Sequence, residues 1–225
     1  MIVAIQQPEH LPWLGFFDKM RQCDAFILLD NVQFKKRYFE NRNKIRVSNG
    51  WQWLTVPVQS KGRFTQKINE VLIDYSRSWQ KKYLASLTAA YGKAPFYQAI
   101  FPSLSEIVNR DSVCLAELNC QLIYWLKGCF GLETITLLAS DLVPEEYWGS
   151  DLILQLCRRA RAKAYISGPD GKNYLKGDEF QQYGIEVRYH QFEHPQYPQM
   201  HGGEFLSHMS AVDYLFNLGP SGTQP

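Results

Sequence analysis

A chain of 225 residues, 45% hydrophobic, can bury a sizeable core, and a formal charge of +2 gives the surface as a whole no reason to seek nucleic acid or an anionic membrane; any basic patch must be local. No apolar stretch approaches the roughly 20 residues needed to span a bilayer, and 2–5 is too short a run, without a preceding basic segment, for a secretory signal. The expectation is a soluble, cytoplasmic protein with no transmembrane segment and no nucleic-acid partner.

The β-branched run 2–5 leads into the turn Gln6-Gln7-Pro8-Glu9-His10-Leu11-Pro12, after which Trp13, Leu14, Phe16, Phe17 and Met20 recur on neighbouring helical faces. In open α/β sheets ligands lie beyond the carboxyl ends of strands, which makes Gln6, Gln7 and His10 candidates. A second apolar strand, 25–29, ends in Asp30, Asn31 and Gln33. Asp30 reads either as a group orienting a basic partner or ribose hydroxyl, or as a helix or turn cap.

The segment 35–46 then carries six basic residues against one acidic. Such a run is a solvated face or an anion site. Its place after a strand end favours the second, with Lys35, Arg37 and Arg42 as a phosphate or carboxylate clamp and Asn41 as a neutral donor.

Residues 45–47 and 51–58 read as strands around the turn Ser48-Asn49-Gly50, and 68–73 as a further short strand. A helical period begins at Trp79 and stops at Gly92, and two more helices cover about 95–108 and 112–127. The expectation is a single α/β domain, 1–225, with 45–130 inserted as a hairpin and a covering helical layer. A strand over 133–138, a helix over 151–162 and a buried strand over 164–167 follow, the last opening into Gly168-Pro169-Asp170-Gly171-Lys172. That loop lacks the spacing of a phosphate-binding Walker motif, yet Ser167 and Lys172 stand where a ligand would be met. A helix over 177–183 and a strand over 185–189 complete an alternation that predicts a mainly parallel, Rossmann-like sheet with helices on both faces.

The tail places His190, His194 and His201 within twelve residues. Their spacing fits neither a helical nor a tight extended ligand pair, so no metal site is expected. A proline-braced loop offering His194, Tyr197 and Gln199 to a substrate fits the pattern better, followed by an amphipathic helix over 207–217 and a frayed end over 220–225. The five cysteines form no close pair and read as reduced, mostly buried thiols.

Three stretches together, the opening motif from Gln6 to Phe17, residues 30–43, and the tail from His194 to Gly219, resemble the WbqC-like family of bacterial proteins. That resemblance implies a setting in surface polysaccharide, particularly O-antigen, assembly, and transfer of an amino acid, glycine among the candidates, to a sugar. A fainter similarity to nucleotidylyltransferase-like enzymes such as pantothenate synthetase bears on fold. Those enzymes carry two histidines flanking a glycine, where this chain has Trp13 and Phe16 about Gly15.

The function expected is transfer of a small acyl or aminoacyl group from an activated donor to a nucleotide-linked or lipid-linked amino sugar. His10 or His194 would be the base, Gln6, Gln7 and Asn41 neutral donors, and Lys35, Arg37 and Arg42 the clamp. Two alternatives are an ATP-using nucleotidyltransferase with Lys172 on the phosphates, and a non-catalytic sugar-nucleotide-binding module.

Overall fold

A computed structural model of the chain describes residues 1–220, so all but the first residue of the expected frayed end lies outside the described residues. In chain order the elements are β1 (Ile2–Gln6), α1 (Leu14–Arg21), β2 (Ala25–Leu28), β3 (Arg42–Val47), β4 (Gly50–Thr55), α2 (Trp79–Tyr91), α3 (Tyr97–Asn109), α4 (Leu115–Cys129), β5 (Ile135–Leu138), α5 (Ala139–Leu142), α6 (Gly149–Arg159), β6 (Ala164–Ser167), α7 (Gly177–Gln182), β7 (Glu186–Tyr189) and α8 (Ala211–Leu218). They fall into two compact units: Met1–Gln7, Gly15–Val32 and Leu132–Glu193 form the first, and Pro8–Leu14, Gln33–Gly131 and the chain from His194 onward form the second.

The first unit is built on a five-stranded sheet, parallel throughout, in the order β5-β2-β1-β6-β7. Its inner strands read as continuous apolar runs because both faces are covered; every residue of β2 and β6 is buried, whereas the edge strands β5 and β7 are partly exposed. Val3, Ile5, Ala25 and Ile27 join Leu152, Leu156 and Phe180 of α6 and α7 in one core. The alternate residue Phe26 turns to the other face, where its ring lies 4.9 Å from that of Phe16 in α1. Helices therefore cover both faces, as the alternation predicts. α6 ends on Arg158 and Arg159, cations that favour the negative end of its dipole.

The second unit joins the antiparallel hairpin β3-β4 to four helices. α2, α3 and α4 pack as neighbours, and α8 lies on α3 and β3. Its buried apolar residues include Tyr83, Leu87, Leu104, Leu118, Leu122 and Phe216.

Three local expectations are corrected. The strand expected over 68–73 is a 3-10 turn, Ile68–Glu70, followed by isolated bridges at Leu72 and Ile73. Ile68 and Val71 are buried three apart as a tight helical turn requires, Ile73 is buried beyond the turn, and the Glu70 carboxylate accepts from the Lys67 N–H. The hairpin turn is Ser48-Asn49, because Gly50 already pairs with Val47 at φ 126°, a conformation suited to glycine. β3 starts at Arg42, three residues earlier than expected, so half of the basic run is strand. Asn43 and Ile45 point inward, while Arg42 and Lys44 take the opposite face.

Candidate functional site

In the first unit the chain leaves β1 toward β2 on one side and returns as β6 on the other. The strand order therefore reverses between β1 and β6, and the carboxyl ends at that point carry Gln6-Gln7 and Ser167-Gly168. Lys19, only 3% exposed, donates from Nζ to the Ile5 carbonyl at 2.8 Å and to Gln6 Oε1 at 3.0 Å, fixing the end of β1. Gln7 is half-buried. Ser167 is buried and donates to the Gly168 carbonyl at 3.0 Å, while Gly171 packs so closely that a Cβ there would stand 1.9 Å from Ser167 Oγ. The Lys172 ammonium sits 5.1 Å from the centre of the Tyr189 ring. Asp30 behaves as a cap: its carboxylate accepts from Ser140 N at 2.9 Å and Ser140 Oγ at 2.6 Å at the start of α5. Asp18 accepts from Arg21, Gln22 and His190 Nε2 at 2.6–2.7 Å.

In the second unit His10 is completely buried and both ring nitrogens are engaged. The Asn119 amide nitrogen donates to the Pro8 and Glu40 carbonyls, each at 2.7 Å, so its oxygen must be the acceptor facing His10 Nδ1 at 2.9 Å. Nδ1 therefore carries the proton, and Nε2 accepts from the Tyr83 hydroxyl at 2.7 Å. Burial drives the pKa of His10 down to about 4 against the opposing effect of the Asn119 bond. The ring is a neutral tie between the opening turn, α2 and α4.

The hairpin presents a different chemistry. Register sets Arg42, Lys44 and Arg46 across from Thr55, Trp53 and Trp51. The Arg42 guanidinium lies 4.0 Å from the Trp53 ring centre, and the Lys44 ammonium 4.7 Å from Trp51 and 5.8 Å from Trp53. Ser210 N donates to the Lys44 carbonyl at 2.9 Å and Ser210 bridges to Trp13, which joins this cationic, aromatic face to the opening turn. The Trp13 indole stacks on His208 at 4.8 Å and His194 at 6.5 Å, and the two imidazoles lie 5.5 Å apart.

His194 Nδ1 lies 2.9 Å from the Pro195 carbonyl, which can only accept, so Nδ1 carries the proton and Nε2 the lone pair. Burial lowers the pKa of His194, with the Pro195 bond and the Asp213 charge opposing and His208 reinforcing. Burial, with the charge of Lys44, lowers His208 as well. Two neutral histidines and an indole thus lie beside a face rich in cations and tryptophans. Leu11, Arg37, His201 and His208 adopt φ between 41° and 74°, backbone strain of about 1–3 kcal/mol each, in the loops of this unit.

Tyr197 and Gln199 serve a buried anchor. Asp213, fully buried on α8, accepts from Tyr91 at 2.8 Å, Tyr197 at 2.8 Å and Gln199 Nε2 at 2.9 Å. Burial raises its pKa, and those donors oppose the rise. Asn41 donates to the Val56 carbonyl at 3.0 Å and holds the exit of β4. Gln33 donates to the Phe64 carbonyl at 2.8 Å, Lys35 lies over the Tyr38 ring, and Arg42 also donates to the Arg37 carbonyl.

Gln6, Gln7, Asp30, Ser167 and Lys172 thus belong to the first unit. His10, Gln33, Lys35, Arg37, Asn41, Arg42, His194, Tyr197 and Gln199 belong to the second. Sequence reasoning passed over Trp13, Lys44, His208 and Asp213. The two-residue spacing of Arg42, Lys44 and Arg46 was a signal for one strand face, but nothing local marked the other three. Among the described residues no three His, Cys, Asp or Glu side chains gather to hold a metal ion. Of the cysteines, Cys23 and Cys157 are buried and the others half-buried; burial pushes the Cys23 and Cys157 thiols up to about 12 and Cys129 to about 11.

A profile of the WbqC-like protein family matches residues 7–225. The uncharacterized protein Rv1507c of Mycobacterium tuberculosis is 37% identical over 220 residues, 96% of this chain and 94% of its own. No solved structure matches. By both the profile and this relative, the chain belongs to the WbqC-like protein family, which suggests a role in polysaccharide biosynthesis in general.

Proposed function

We propose that this protein transfers a small acyl or aminoacyl group, glycyl among the candidates, to an amino sugar during assembly of a bacterial surface polysaccharide such as O-antigen. The observation that carries this reading is the stack of Trp13, His208 and neutral His194 beside the cation-bearing tryptophan face of the hairpin. Tryptophan faces suit sugar rings, Arg42 and Lys44 suit the phosphates of a nucleotide-linked or lipid-linked acceptor, and a neutral imidazole suits proton abstraction.

In the reaction, the sugar amine attacks the carbonyl of an activated acyl donor and its proton passes to His194 Nε2, an atom buried in the free protein that the entering acceptor must uncover. The C–N bond forms, the bond to the leaving group breaks, and the imidazolium returns the proton to the departing group. His10, closed on both nitrogens, is assigned to the scaffold rather than to the base. Lys35 and Arg37 extend the clamp for the acceptor's phosphates.

The test screens nucleotide-linked amino sugars by thermal shift, then adds a glycyl thioester and follows acceptor mass. A gain of one glycyl residue that His194→Ala abolishes supports the reading. Acceptor binding without turnover under any donor would make the protein a non-catalytic sugar-nucleotide-binding module and overturn it.

A second reading has its own observation, the strand-order reversal between β1 and β6, where α/β enzymes bind nucleotides. There Gln6, Gln7 and Ser167 would meet ATP and Lys172 its phosphates. Magnesium-dependent pyrophosphate release lost in Lys172→Ala supports nucleotidyl transfer; absence of ATP protection in a melting assay counts against it.

A further inference from the structure

The near-neutral charge of the chain conceals a segregation. Residues 33–67 hold nine of the 24 basic residues and one of the 22 acidic ones, Glu40, so the remainder carries fifteen basic against twenty-one acidic. Glu40 is buried and does not reach the surface. Two loops of this segment are joined edge to edge: Gln33 Nε2 donates to the Phe64 carbonyl at 2.8 Å, Phe34 N donates to the Gln66 carbonyl at 3.0 Å, and Gln33 bridges to Lys67. Lys35, Lys36, Arg37, Lys61 and Arg63 are all exposed on them. Among the described residues, Lys36, Arg37, Lys61 and Arg63 join no ion pair.

Phe64, next to Arg63 in the chain, is 72% exposed, with the Lys36 ammonium of the other loop 5.0 Å from its ring centre. A single exposed ring is ordinary on a protein surface; what distinguishes Phe64 is its place on loops rich in cations that join no ion pair among the described residues. We propose that the loops 33–38 and 61–67 form a face that docks on an anionic phospholipid bilayer, with Phe64 entering the interface and Lys36, Lys61 and Arg63 on the headgroup phosphates. Charge complementarity and the projecting ring commit the face to this occupant: lysines and arginines near an anionic surface each add attraction, and an aromatic ring settles at the boundary between headgroups and acyl chains. A nucleic acid would instead call for rings laid flat as stacking platforms; of the two exposed rings on this face, Tyr38 is 46% exposed beneath the Lys35 ammonium, and Phe64, at 72%, is the one that projects furthest. Such docking would bring a lipid-linked acceptor within reach, but it does not depend on the transfer reading and is measured without any turnover.

The experiment is co-sedimentation of the full chain with vesicles of phosphatidylcholine alone and of phosphatidylcholine with roughly a third phosphatidylglycerol. The wild type is expected to partition at least tenfold better into the anionic vesicles at about 0.1 M salt and to lose that preference at 1 M, where the screening length shrinks to about 3 Å. The triple variant Lys36→Ala, Lys61→Ala, Arg63→Ala should lose on the order of a hundredfold, at roughly fivefold per cation. Phe64→Ser should lose several-fold more than a conservative Phe64→Trp, which should bind as well as the wild type. All four side chains are exposed, so circular dichroism should be unchanged. Equal partitioning into neutral and anionic vesicles, or a triple variant that binds like the wild type, would overturn the proposal. So would displacement from the vesicles by a stoichiometric single-stranded oligonucleotide.

Discussion

The sharpest prediction concerns acid. His10 is held neutral with its pKa near 4, whereas in the unfolded chain it titrates near 6.5. Below 6.5 the unfolded state therefore binds a proton that the folded state refuses. The contribution of His10 is fully present above pH 6.5 and is lost progressively as the pH falls to about 4. At about 1.4 kcal/mol per pKa unit the loss amounts to roughly 3 kcal/mol, a large share of the 5–15 kcal/mol that typically holds a domain together. His10→Gln cannot titrate. It should be less stable than the wild type at pH 7.5, because Asn119 Oδ1 and the Tyr83 hydroxyl lose a fitted partner, but its stability should fall about 3 kcal/mol less between pH 6.5 and 4. Glu40 and Asp213, whose pKa values burial raises, act in the opposite sense, since the folded state takes up their protons first; they are common to both proteins and cancel in the difference. Urea unfolding followed by tryptophan fluorescence reads mainly the second unit, which holds five of the six tryptophans. Identical pH slopes for the two proteins would refute the argument, as would an imidazole resonance of His10 titrating near 6.5.

Other outcomes are equally specific. His194→Ala should lower acyl transfer by about a hundredfold or more while leaving the melting temperature nearly unchanged, and wild-type kcat/KM should hold its plateau somewhat below pH 6.5 because burial keeps His194 unprotonated there. Asp213→Ala strands the hydroxyls of Tyr91 and Tyr197 in the core and should cost about 3 kcal/mol or more in chemical denaturation; Asp213→Asn, which still accepts, should cost distinctly less. Gly171→Ala drives a methyl against Ser167 Oγ and should destabilise by about 1–3 kcal/mol, with part recovered in the Ser167→Ala background; strict additivity in that double-mutant cycle would show that the two side chains do not collide.

The first unit was legible because its strands and helices follow one another with the periods of buried sheet and amphipathic helix. Strand order is another matter: the neighbours of β1 are β2, close in sequence, and β6, more than a hundred residues on, and no local pattern names the second. The candidate site was legible in its residue types and not in their partners. His10 and His194 look alike in the chain, yet one is sealed by Asn119, 109 positions away, and the other lies against Trp13. Tyr197 and Gln199 sit in a loop that looks made for a ligand, but their polar atoms turn inward to a carboxylate on α8. The basic run hid a strand because charged residues at alternate positions blur the apolar period that a half-buried hairpin would otherwise display.

The discontinuous make-up of the second unit bears on how the protein is made. Its opening turn, its hairpin with three helices, and its final helix come from stretches separated by nearly the whole first unit. On a ribosome that synthesises from the amino end, the carboxylate that Tyr91 needs and the serine that fastens Trp13 arrive only after residue 209 has emerged. Nascent chains must carry half-closed helices α2 to α4 until then. A premature stop anywhere before α8 should therefore leave a chain with unmet core hydroxyls and a bare apolar flank, a substrate for chaperones and proteases rather than a smaller working protein.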